Sequence, residues 1–152
     1  MSPRRLFGVL AFAEAVTWTL LITALILRAT AHLEWAVGIA GGIHGFVFLA
    51  YAATALLVAI NQRWSIGVAA LAIGSAVIPY ATIATELWLA RSGRLDGDWR
   101  REATDDPRDR GVIDRLARWF IRHPILLVTV AVVAVAALFA VLLIVGPPGG
   151  RG

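Results

Sequence analysis

Four long stretches of this chain are almost free of charge, and they limit what it can fold into more than any other feature. The stretches are residues 6–27, 35–62, 64–90 and 124–150. Their charged residues are Glu14 in the first and Glu86 in the third. A run of about 18 or more apolar residues is long enough to cross a hydrocarbon core of roughly 30 Å as a helix. The pattern therefore predicts an all-α membrane protein.

Polar segments between these stretches predict the domain organisation. Residues 5–91 form a module that folds as a three-helix transmembrane bundle. After this module come a charged linker, a fourth transmembrane helix and a flexible tail at residues 147–152. The predicted spans are residues 6–27, 36–60, 66–90 and 124–146. The fourth span has threonine as its one polar residue, which is typical of a simple membrane anchor.

The linker, residues 92–123, differs from the spans in charge. Nine arginines and seven acidic residues lie between residues 91 and 123, and the part up to Asp109 is typical of a solvated loop. Apolar residues then recur with the helical period, which predicts a short amphipathic interfacial helix over residues 112–122. The alternative is a helix packed on a soluble partner. The predicted interfacial residues are Trp119 and Phe120 on the apolar face and Arg115, Arg118 and Arg122 on the polar face.

Composition excludes several classes of function. The chain has no cysteine, so disulfides and thiol chemistry are ruled out. Its histidines are too scattered for a metal site, and no hydrolase triad, phosphate loop or nucleotide fingerprint is present. We therefore expect no catalytic residue, no metal and no cofactor, and we predict that the protein is not an enzyme.

The excess of basic over acidic residues bears on the partners of the chain and on its orientation in a membrane. A net charge of +4 indicates contact with anionic lipid headgroups at the linker rather than nucleic-acid binding. In a four-span protein, Arg28 and the nine arginines of residues 91–123 outnumber Arg4, Arg5, Arg63 and Arg151 on the other side. The positive-inside rule then predicts a plasma-membrane protein with a cytoplasmic linker and both termini outside. Arg4 and Arg5 beside the first helix favour the opposite orientation.

Polar side chains inside the first three spans need partners, because a charged group at mid-bilayer costs at least about 2.5 kcal/mol. The intramembrane polar candidates are Glu14, Thr17, His44, Tyr51, Ser75, Thr82 and Glu86. They form either a proton-handling or polar-ligand site, or a set of contacts that holds the helices in register. Glu86 lies near the end of its span, where it could reach Arg28 or the interface.

Small residues on the second span predict close helix packing. The predicted packing residues are Gly38, Gly41, Gly42, Gly45 and Pro79. Gly41-x-x-x-Gly45 is a face that lets another helix approach. In an antiparallel arrangement with a rise of 1.5 Å per residue, Glu14 falls level with Tyr51 and Ser75, and about 12 Å along the axis from His44.

Several of these residues resemble the YdzA-like family of small bacterial integral membrane proteins. Glu14-Ala15-Val16-Thr17 is similar to the E-G-x-[ST] element of that family. The segment from Gly42 to Tyr51 is similar to its G-x-x-H-G-x-x-F-x-x-Y element, and Trp64-Ser65 and the segment from Ser75 to Tyr80 resemble its third-span signature. The likeness covers about residues 5–92.

This chain departs from the family pattern at three positions. Ala15 and Ala81 stand where the family has glycine, and Glu86 stands where it often has aspartate. The family has no known function. The resemblance therefore implies a fold and some shared polar positions, and it implies no activity.

Two functional hypotheses follow from these features. The first is a non-enzymatic scaffold or accessory subunit that acts through helix–helix contacts with other membrane proteins or with itself. The alternative is a small oligomeric transporter or proton-coupled module that uses Glu14 and His44.

Overall fold

A computed structural model describes residues 1–146, and every regular element in that range is helical. The helices are α1 (Pro3–Ala31), α2 (Glu34–Asn61), α3 (Ile66–Gly74), α4 (Ala81–Arg91), α5 (Val112–Arg122) and α6 (Pro124–Val145), with short 3₁₀ helices at Ser75–Val77 and Pro107–Arg110. The all-α prediction is confirmed. The predicted flexible tail, residues 147–152, lies outside the described residues.

Three helices, α1, α2 and α6, are long and apolar enough to cross a membrane. Local sequence explains the bounds of α1. Pro3 lies in the first turn, where its missing N–H has no helical partner to lose, and the Ser2 hydroxyl accepts a hydrogen bond from Arg5 N at 3.3 Å. At the other end, His32 takes a left-handed conformation and its N–H donates to the Leu27 carbonyl. The chain then reverses into α2.

The third predicted span, residues 66–90, is not a continuous helix, so that prediction is wrong. Helix α3 ends at Gly74, and α4 begins only at Ala81. The two helices have nine and eleven residues, which makes each about 14 to 17 Å long. Each is therefore about half as long as a hydrocarbon core is thick.

Pro79 explains the break. Proline has no N–H to donate into a helix, and it disfavours the helical conformation in the residue before it. Ile78 is accordingly extended, with φ −107° and ψ 126°. Tyr80 then takes a left-handed conformation with φ 64°, which a non-glycine residue adopts only where its surroundings hold it.

At the break, the chain turns back to the end of the bundle from which it came. Before α3, the Trp64 ring packs edge-on against Phe7 near the start of α1, with ring centroids 5.8 Å apart. After α4, the carbonyl of Arg94 accepts a hydrogen bond from the same Trp64 indole at 2.8 Å. Residues 66–91 therefore form two half-length helices joined at a tip, and we call them the broken hairpin.

One hydrophobic core joins the broken hairpin to α1 and α2. Phe7 and Tyr51 are fully buried, with ring centroids 5.4 Å apart, and Val58, Leu89 and Leu95 complete the core. Leu95 follows α4 in the linker, so the linker shares this core. Helix α2 is central, because it packs against α1, α3, α5 and α6.

The third long helix, α6, packs on α2 along a narrow line. Phe139 lies edge-on to Phe46, with ring centroids 6.0 Å apart. A Cβ added at Gly45 would lie 3.3 Å from the Phe139 ring, so a glycine at this position permits the approach. Val135 is the buried residue of α6, at 8% exposed. The helix is thus more than the separate anchor that its sequence predicts.

The linker up to Asp106 is irregular chain with mostly exposed residues, as expected of a solvated loop, and its end is fastened to the bundle through Asp109. Asp109 is 4% exposed, and its carboxylate accepts hydrogen bonds from Arg118 at 2.6 Å, Arg63 at 2.7 Å and Arg100 at 3.1 Å. The Thr104 hydroxyl and main-chain N–H add two more, at 2.6 and 2.7 Å. The hydrogen bonds from Thr104, with those from Arg63, hold the pKa of Asp109 well below its usual range.

Arg100 fastens the linker to the end of α2. Its guanidinium donates to the Ile60 carbonyl at 2.6 Å and to Asp114 at 2.7 Å, and its main-chain N–H donates to the Asn61 side chain at 2.8 Å. The last carbonyls of a helix lack helical donors and carry partial negative charge. Arg100 supplies both a donor and a positive charge there, and its Asp114 contact ties in α5.

Helix α5 presents most of its apolar face outward. Val112 and Ile113 are 62% and 65% exposed, and Leu116 and Trp119 are also exposed, while Phe120 is half-buried.

The predicted polar face of α5 is divided. Arg115 and Arg122 are exposed, and Arg122 donates to the Arg101 carbonyl. Arg118 is 7% exposed and binds Asp109, so its prediction as an interfacial residue is wrong. The reason is that Asp109 needs positive partners once it is buried.

The amino terminus and the linker lie at the same end of the bundle. The Trp99 indole donates a hydrogen bond to the Met1 carbonyl at 2.8 Å. The predicted topology, with a cytoplasmic linker and the amino terminus outside, places these two parts on opposite sides of a membrane, whereas the structure places them at the same end of the bundle. The difference arises because residues 66–91 return to the end of the bundle from which they start.

We expect Asp109→Asn to lower the melting temperature of the detergent-solubilised protein more than Asp105→Asn does. Asp109 is buried among three arginines, and removal of its charge leaves them without their shared partner. Asp105 is exposed and forms no ion pair within the described part of the chain. Tryptophan fluorescence during heating measures both variants, and equal shifts would contradict the role of Asp109.

This stabilisation should depend on pH. The folded protein holds the pKa of Asp109 below its value in the unfolded chain, so the benefit is complete above about pH 5 and fades as the pH falls through about 4 and below. The melting temperature of the unmodified protein should thus fall more between about pH 5 and pH 3 than that of Asp109→Asn. Arg108 lowers the pKa of Asp106 to about 2, which acts in the same direction and is present in both proteins.

Candidate functional site

Buried polar residues of α1 and α2 meet at one point. Glu14 is fully buried, and Thr17 is 5% exposed. The Thr17 hydroxyl lies 2.9 Å from the Glu14 carbonyl, 3.3 Å from Glu14 Oε2 and 3.1 Å from His44 Nδ1. Glu14 Oε2 and His44 Nδ1 are 3.5 Å apart. We call Glu14, Thr17, His44 and the neighbouring Trp18 the polar cluster.

The direct contact between Glu14 and His44 shows that the predicted register is wrong. Tyr51, which was expected level with Glu14, packs on Phe7 instead, about two helical turns nearer the amino terminus. The prediction assumed two straight helices whose ends lie level at the connecting loop. The helices are displaced along their axes from that arrangement, so His44 Nδ1 lies 3.5 Å from Glu14 Oε2 and the Thr17 hydroxyl lies within hydrogen-bond distance of both.

Trp18 connects the polar cluster to the tip of the broken hairpin. Its ring lies on the His44 ring, with centroids 4.5 Å apart, and its indole N–H donates to the Ala76 carbonyl at 3.1 Å. Ala76 lies in the 3₁₀ turn where the helical hydrogen bonds are interrupted. Trp18 therefore supplies a donor to a carbonyl at the break.

Three predicted polar residues, Tyr51, Ser75 and Thr82, fasten the broken hairpin to its neighbours. The Tyr51 hydroxyl donates to the Ala72 carbonyl at 2.9 Å and lies 3.3 Å from the Ser75 hydroxyl. Ser75 also donates to the Ala72 carbonyl, at 2.7 Å. Thr82 donates to the Ala11 carbonyl on α1 at 3.2 Å. The hydroxyls bond to main-chain carbonyls, which is a structural use of polar groups in an apolar environment.

The polar cluster is enclosed by protein. The side chain of His44 is 12% exposed, and that of Glu14 is fully buried. His44 Nδ1–H can donate to Thr17 while the Thr17 hydroxyl donates to Glu14, so one chain of hydrogen bonds links all three. Glu14 Oε1 is buried without a hydrogen-bond partner. Residues 1–146 contain no group of three His, Cys, Asp or Glu placed to hold a metal ion.

Glu86 does not join the polar cluster. Its Oε1 would lie 3.7 Å from a Cβ added at Gly8, so it lies against the first part of α1 and is half-buried. Of the two positions predicted for Glu86, at Arg28 or at the interface, contact with Arg28 is wrong, because α4 runs back toward the start of α1 and Arg28 lies in the last turn of α1.

Two of the five predicted packing residues face another helix. A Cβ at Gly41 would lie 4.0 Å from Leu21 of α1, and Gly45 receives Phe139 of α6. Nothing lies within 4 Å of a Cβ at Gly38 or Gly42, so neither glycine packs on another helix within residues 1–146. Pro79 is exposed and acts by breaking the helix.

Sequence reasoning missed Asp109 as an organising residue, and for Trp18 it predicted only packing against another helix or lipid. A signal existed for Trp18, because it lies inside a span while Trp35, Trp64 and Trp88 lie at span ends, where indoles favour the membrane interface. Nothing in the sequence distinguishes Asp109 from the other acidic residues of the linker. Its role depends on the fold that brings three distant arginines around it.

An apolar groove of about 320 Å³ lies between α1, α2 and α6. Its lining is aliphatic apart from Phe46 and Thr54. It holds no titratable group, so it offers no chemistry.

Comparison with known proteins gives a family and one curated relative. The sequence profile of a family described as "Domain of unknown function (DUF3817)" matches residues 4–91. A membrane protein of Streptomyces coelicolor is 39% identical over 93 residues, which cover 60% of this chain and 11% of that protein. This chain thus spans about a tenth of the length of the relative it matches. No solved structure matches the chain.

These findings agree with a membrane protein whose activity is unassigned. The matched range is close to residues 5–92, which carry the resemblance noted from the sequence. The description of the matched family does not contain the name YdzA-like, so the resemblance to that family is not confirmed by name. The name of the relative gives the membrane as its location and states no activity.

We expect Thr17→Val to destabilise the pair of α1 and α2, because it removes the hydroxyl that joins Glu14 to His44 and preserves the side-chain shape. Interhelical hydrogen bonds in membrane proteins contribute about 1 kcal/mol, so the free energy of unfolding should fall by about that amount. Thr30→Val is the matched control, since Thr30 is exposed and its hydroxyl donates to Ile26 of its own helix. Denaturation of both variants in bicelles measures the difference. Equal losses would mean that the polar cluster does not hold the helices together.

Proposed function

We propose that this chain, which belongs to the family described as Domain of unknown function (DUF3817), is a non-enzymatic accessory or scaffold subunit of the cell membrane. It acts through contacts between helices. The observation that carries the proposal is the use of its buried polar groups. Four buried hydroxyls donate hydrogen bonds to protein atoms inside the bundle, namely those of Thr17, Tyr51, Ser75 and Thr82.

The relative supports an accessory role. The segment that this chain matches is part of a membrane protein about nine times as long as the match, because the match covers 11% of it. A module that functions within a longer membrane protein in one case is a reasonable subunit of a membrane assembly in another.

We further propose a topology with three membrane-spanning helices, α1, α2 and α6, and with the broken hairpin entering and leaving on the cytoplasmic side. Arg4, Arg5, Arg63 and the nine arginines of residues 91–123 then belong to one side of the membrane, and Arg28 and Arg151 belong to the other. This asymmetry follows the positive-inside rule more strongly than a four-span arrangement does. The amino terminus and the linker are cytoplasmic, and α6 ends outside.

Helix α5 lies in the cytoplasmic interface in this arrangement. Its outward apolar side chains, Val112, Ile113, Leu116 and Trp119, enter the boundary between headgroups and acyl chains. Arg115 remains exposed to contact anionic headgroups. Arg118 takes no part, because it binds Asp109.

A proton-coupled module is the second candidate, and the contact between Glu14 and His44 favours it. Two ionisable groups lie 3.5 Å apart within the span region, and Glu14 Oε1 lacks a partner. Intramembrane ionisable residues frequently belong to proton relays. The burial of Glu14 counts against transport, because a relay needs a water-accessible path to at least one side.

Reconstitution separates the two candidates. The accessory proposal expects liposomes containing the purified protein to show no proton flux above empty liposomes, and it expects Glu14→Gln to change nothing in that measurement. It also expects purification in mild detergent to recover the chain with a membrane protein at a fixed ratio. A proton flux that Glu14→Gln abolishes, from a protein that purifies alone, would replace it with the proton-coupled function.

The topology has its own test at the amino terminus. A green fluorescent protein fused before Met1 should fluoresce, because it remains in the cytoplasm, and one fused after Gly152 should not. A single cysteine at Asp96 in this cysteine-free chain should react with an impermeant maleimide only after the membrane is opened. Labelling of intact cells at Asp96 would exclude the cytoplasmic linker.

A further inference from the structure

A polar cleft of about 420 Å³ lies at the arginine-rich end of the bundle, where α1 begins and the linker passes. Its lining residues are Met1, Ser2, Asp98, Trp99 and Arg101. We call it the amino-terminal cleft. Because Met1 and Ser2 directly precede α1, which is long and apolar enough to span a membrane, the cleft lies at the level of the lipid headgroups in the arrangement proposed above.

Trp99 gives the cleft the character of a membrane interface. Its ring is half-buried against the hydrophobic core of the bundle, and its indole N–H donates to the Met1 carbonyl at 2.8 Å. Indole side chains favour the headgroup region of a membrane, where one part of the ring is in apolar surroundings and the N–H has a polar partner.

The main chain on both sides of Trp99 is fixed to the rest of the bundle. The Asn61 side chain at the end of α2 donates to the Asp98 carbonyl at 3.3 Å. The Arg122 guanidinium of α5 donates to the Arg101 carbonyl at 2.5 Å. The main chain of Asp98 and Arg101 is therefore held in place before any ligand binds, which reduces the entropy cost of binding.

Asp98 and Arg101 bring opposite charges to the cleft, and the protein does not use either charge internally. Both residues are exposed. Within residues 1–146, their side chains form no ion pair with each other or with any other residue. By contrast, three arginines at the same end of the bundle share Asp109. The cleft thus offers one carboxylate and one guanidinium to a ligand.

We propose that the amino-terminal cleft binds the headgroup of a lipid that carries both a phosphate and a primary ammonium group, as phosphatidylethanolamine does. The Arg101 guanidinium suits the phosphate, because its planar donors form two parallel hydrogen bonds to phosphate oxygens. The Asp98 carboxylate only accepts hydrogen bonds, and the ammonium group has three N–H donors. The proposal rests on the membrane arrangement proposed above and adds a lipid ligand to the accessory function.

The two charges distinguish this headgroup from other common headgroups. Phosphatidylcholine has a quaternary ammonium without N–H groups, so it cannot donate a hydrogen bond to Asp98. Phosphatidylglycerol has a phosphate and no cation, so the Asp98 carboxylate repels it. A site gains specificity when the wrong ligand leaves one of its charges without a partner.

Native mass spectrometry of the full chain in detergent, titrated with each lipid, tests this preference without any variant. We expect one molecule of phosphatidylethanolamine to bind roughly tenfold more tightly than phosphatidylcholine or phosphatidylglycerol, which is the effect of one charge-assisted hydrogen bond. The N,N-dimethyl form of phosphatidylethanolamine keeps one N–H and should still bind more tightly than phosphatidylcholine. Equal affinities for phosphatidylethanolamine and phosphatidylcholine would overturn the proposal.

Variants of the two charged residues assign the contacts. Asp98→Ala should remove the preference for phosphatidylethanolamine and leave the affinity for phosphatidylcholine unchanged. Arg101→Gln should weaken the binding of both lipids by the same factor, roughly tenfold. The matched controls are Asp105→Ala and Arg110→Gln, which change exposed charged residues outside the cleft and should alter neither affinity. Melting temperatures of all four variants check that they fold.

Two further results would reject the site. One is a loss of affinity in the control variants equal to that in the cleft variants. The other is binding of soluble glycerophosphoethanolamine as tightly as the intact lipid, because the ligand would then be a free zwitterion. Labelling at Asp96 measures the membrane arrangement separately. If Asp96 reacts only after the membrane is opened while the lipid affinities are equal, the arrangement stands and the headgroup site is rejected.

Discussion

The structure depends on satisfying main-chain polar groups where the third apolar segment stops being a helix. An interrupted helix exposes carbonyl and N–H groups, and an apolar environment offers them no water. Neighbouring side chains take the place of water as hydrogen-bond partners. Trp18 donates to Ala76, and Tyr51 and Ser75 both donate to Ala72. The positions of these three side chains are therefore explained by the break, and so is the approach of Trp18 to His44.

A second constraint acts at the arginine-rich end. Asp109 is buried, and a buried carboxylate is tolerated when it is paired and hydrogen-bonded. Arg63 comes from the loop after α2, Arg100 from the linker and Arg118 from α5, so one carboxylate joins three parts of the chain. This joint holds α5 beside the end of α2 and directs the chain into α6. It also removes Arg118 from any role at the lipid surface.

These two constraints shape the functional proposal. The polar residues that look most like a site, Glu14 and His44, lie between the break and the packed helices and are enclosed by protein. Their contact is compatible with a proton relay, but their surroundings favour a role in holding α1 against α2. A protein whose buried polar groups are closed off in this way is suited to act through its outer surface.

The membrane location and the extent of the family match were predictable because they depend on local properties. Hydropathy and length identified α1, α2 and α6, and motif spacing identified the region that the family profile matches. The candidate site was partly predictable. The free-energy cost of burying a polar side chain in a membrane singled out Glu14, Thr17 and His44. The prediction also assumed that the ends of α1 and α2 lie level, and this assumption misplaced His44 along the helix axis.

The sequence by itself determined that residues 66–90 are apolar, and it contained the signal for a break in Pro79. Only the tertiary structure decided that the chain reverses there, because a crossing helix and a returning hairpin have the same composition and length. The distinction depends on distant contacts, such as Trp64 with Arg94 and Thr82 with Ala11. The position of the amino terminus relative to the linker follows from that reversal. Hydropathy measures the preference of each residue for an apolar environment, and that preference is the same for either direction of the chain.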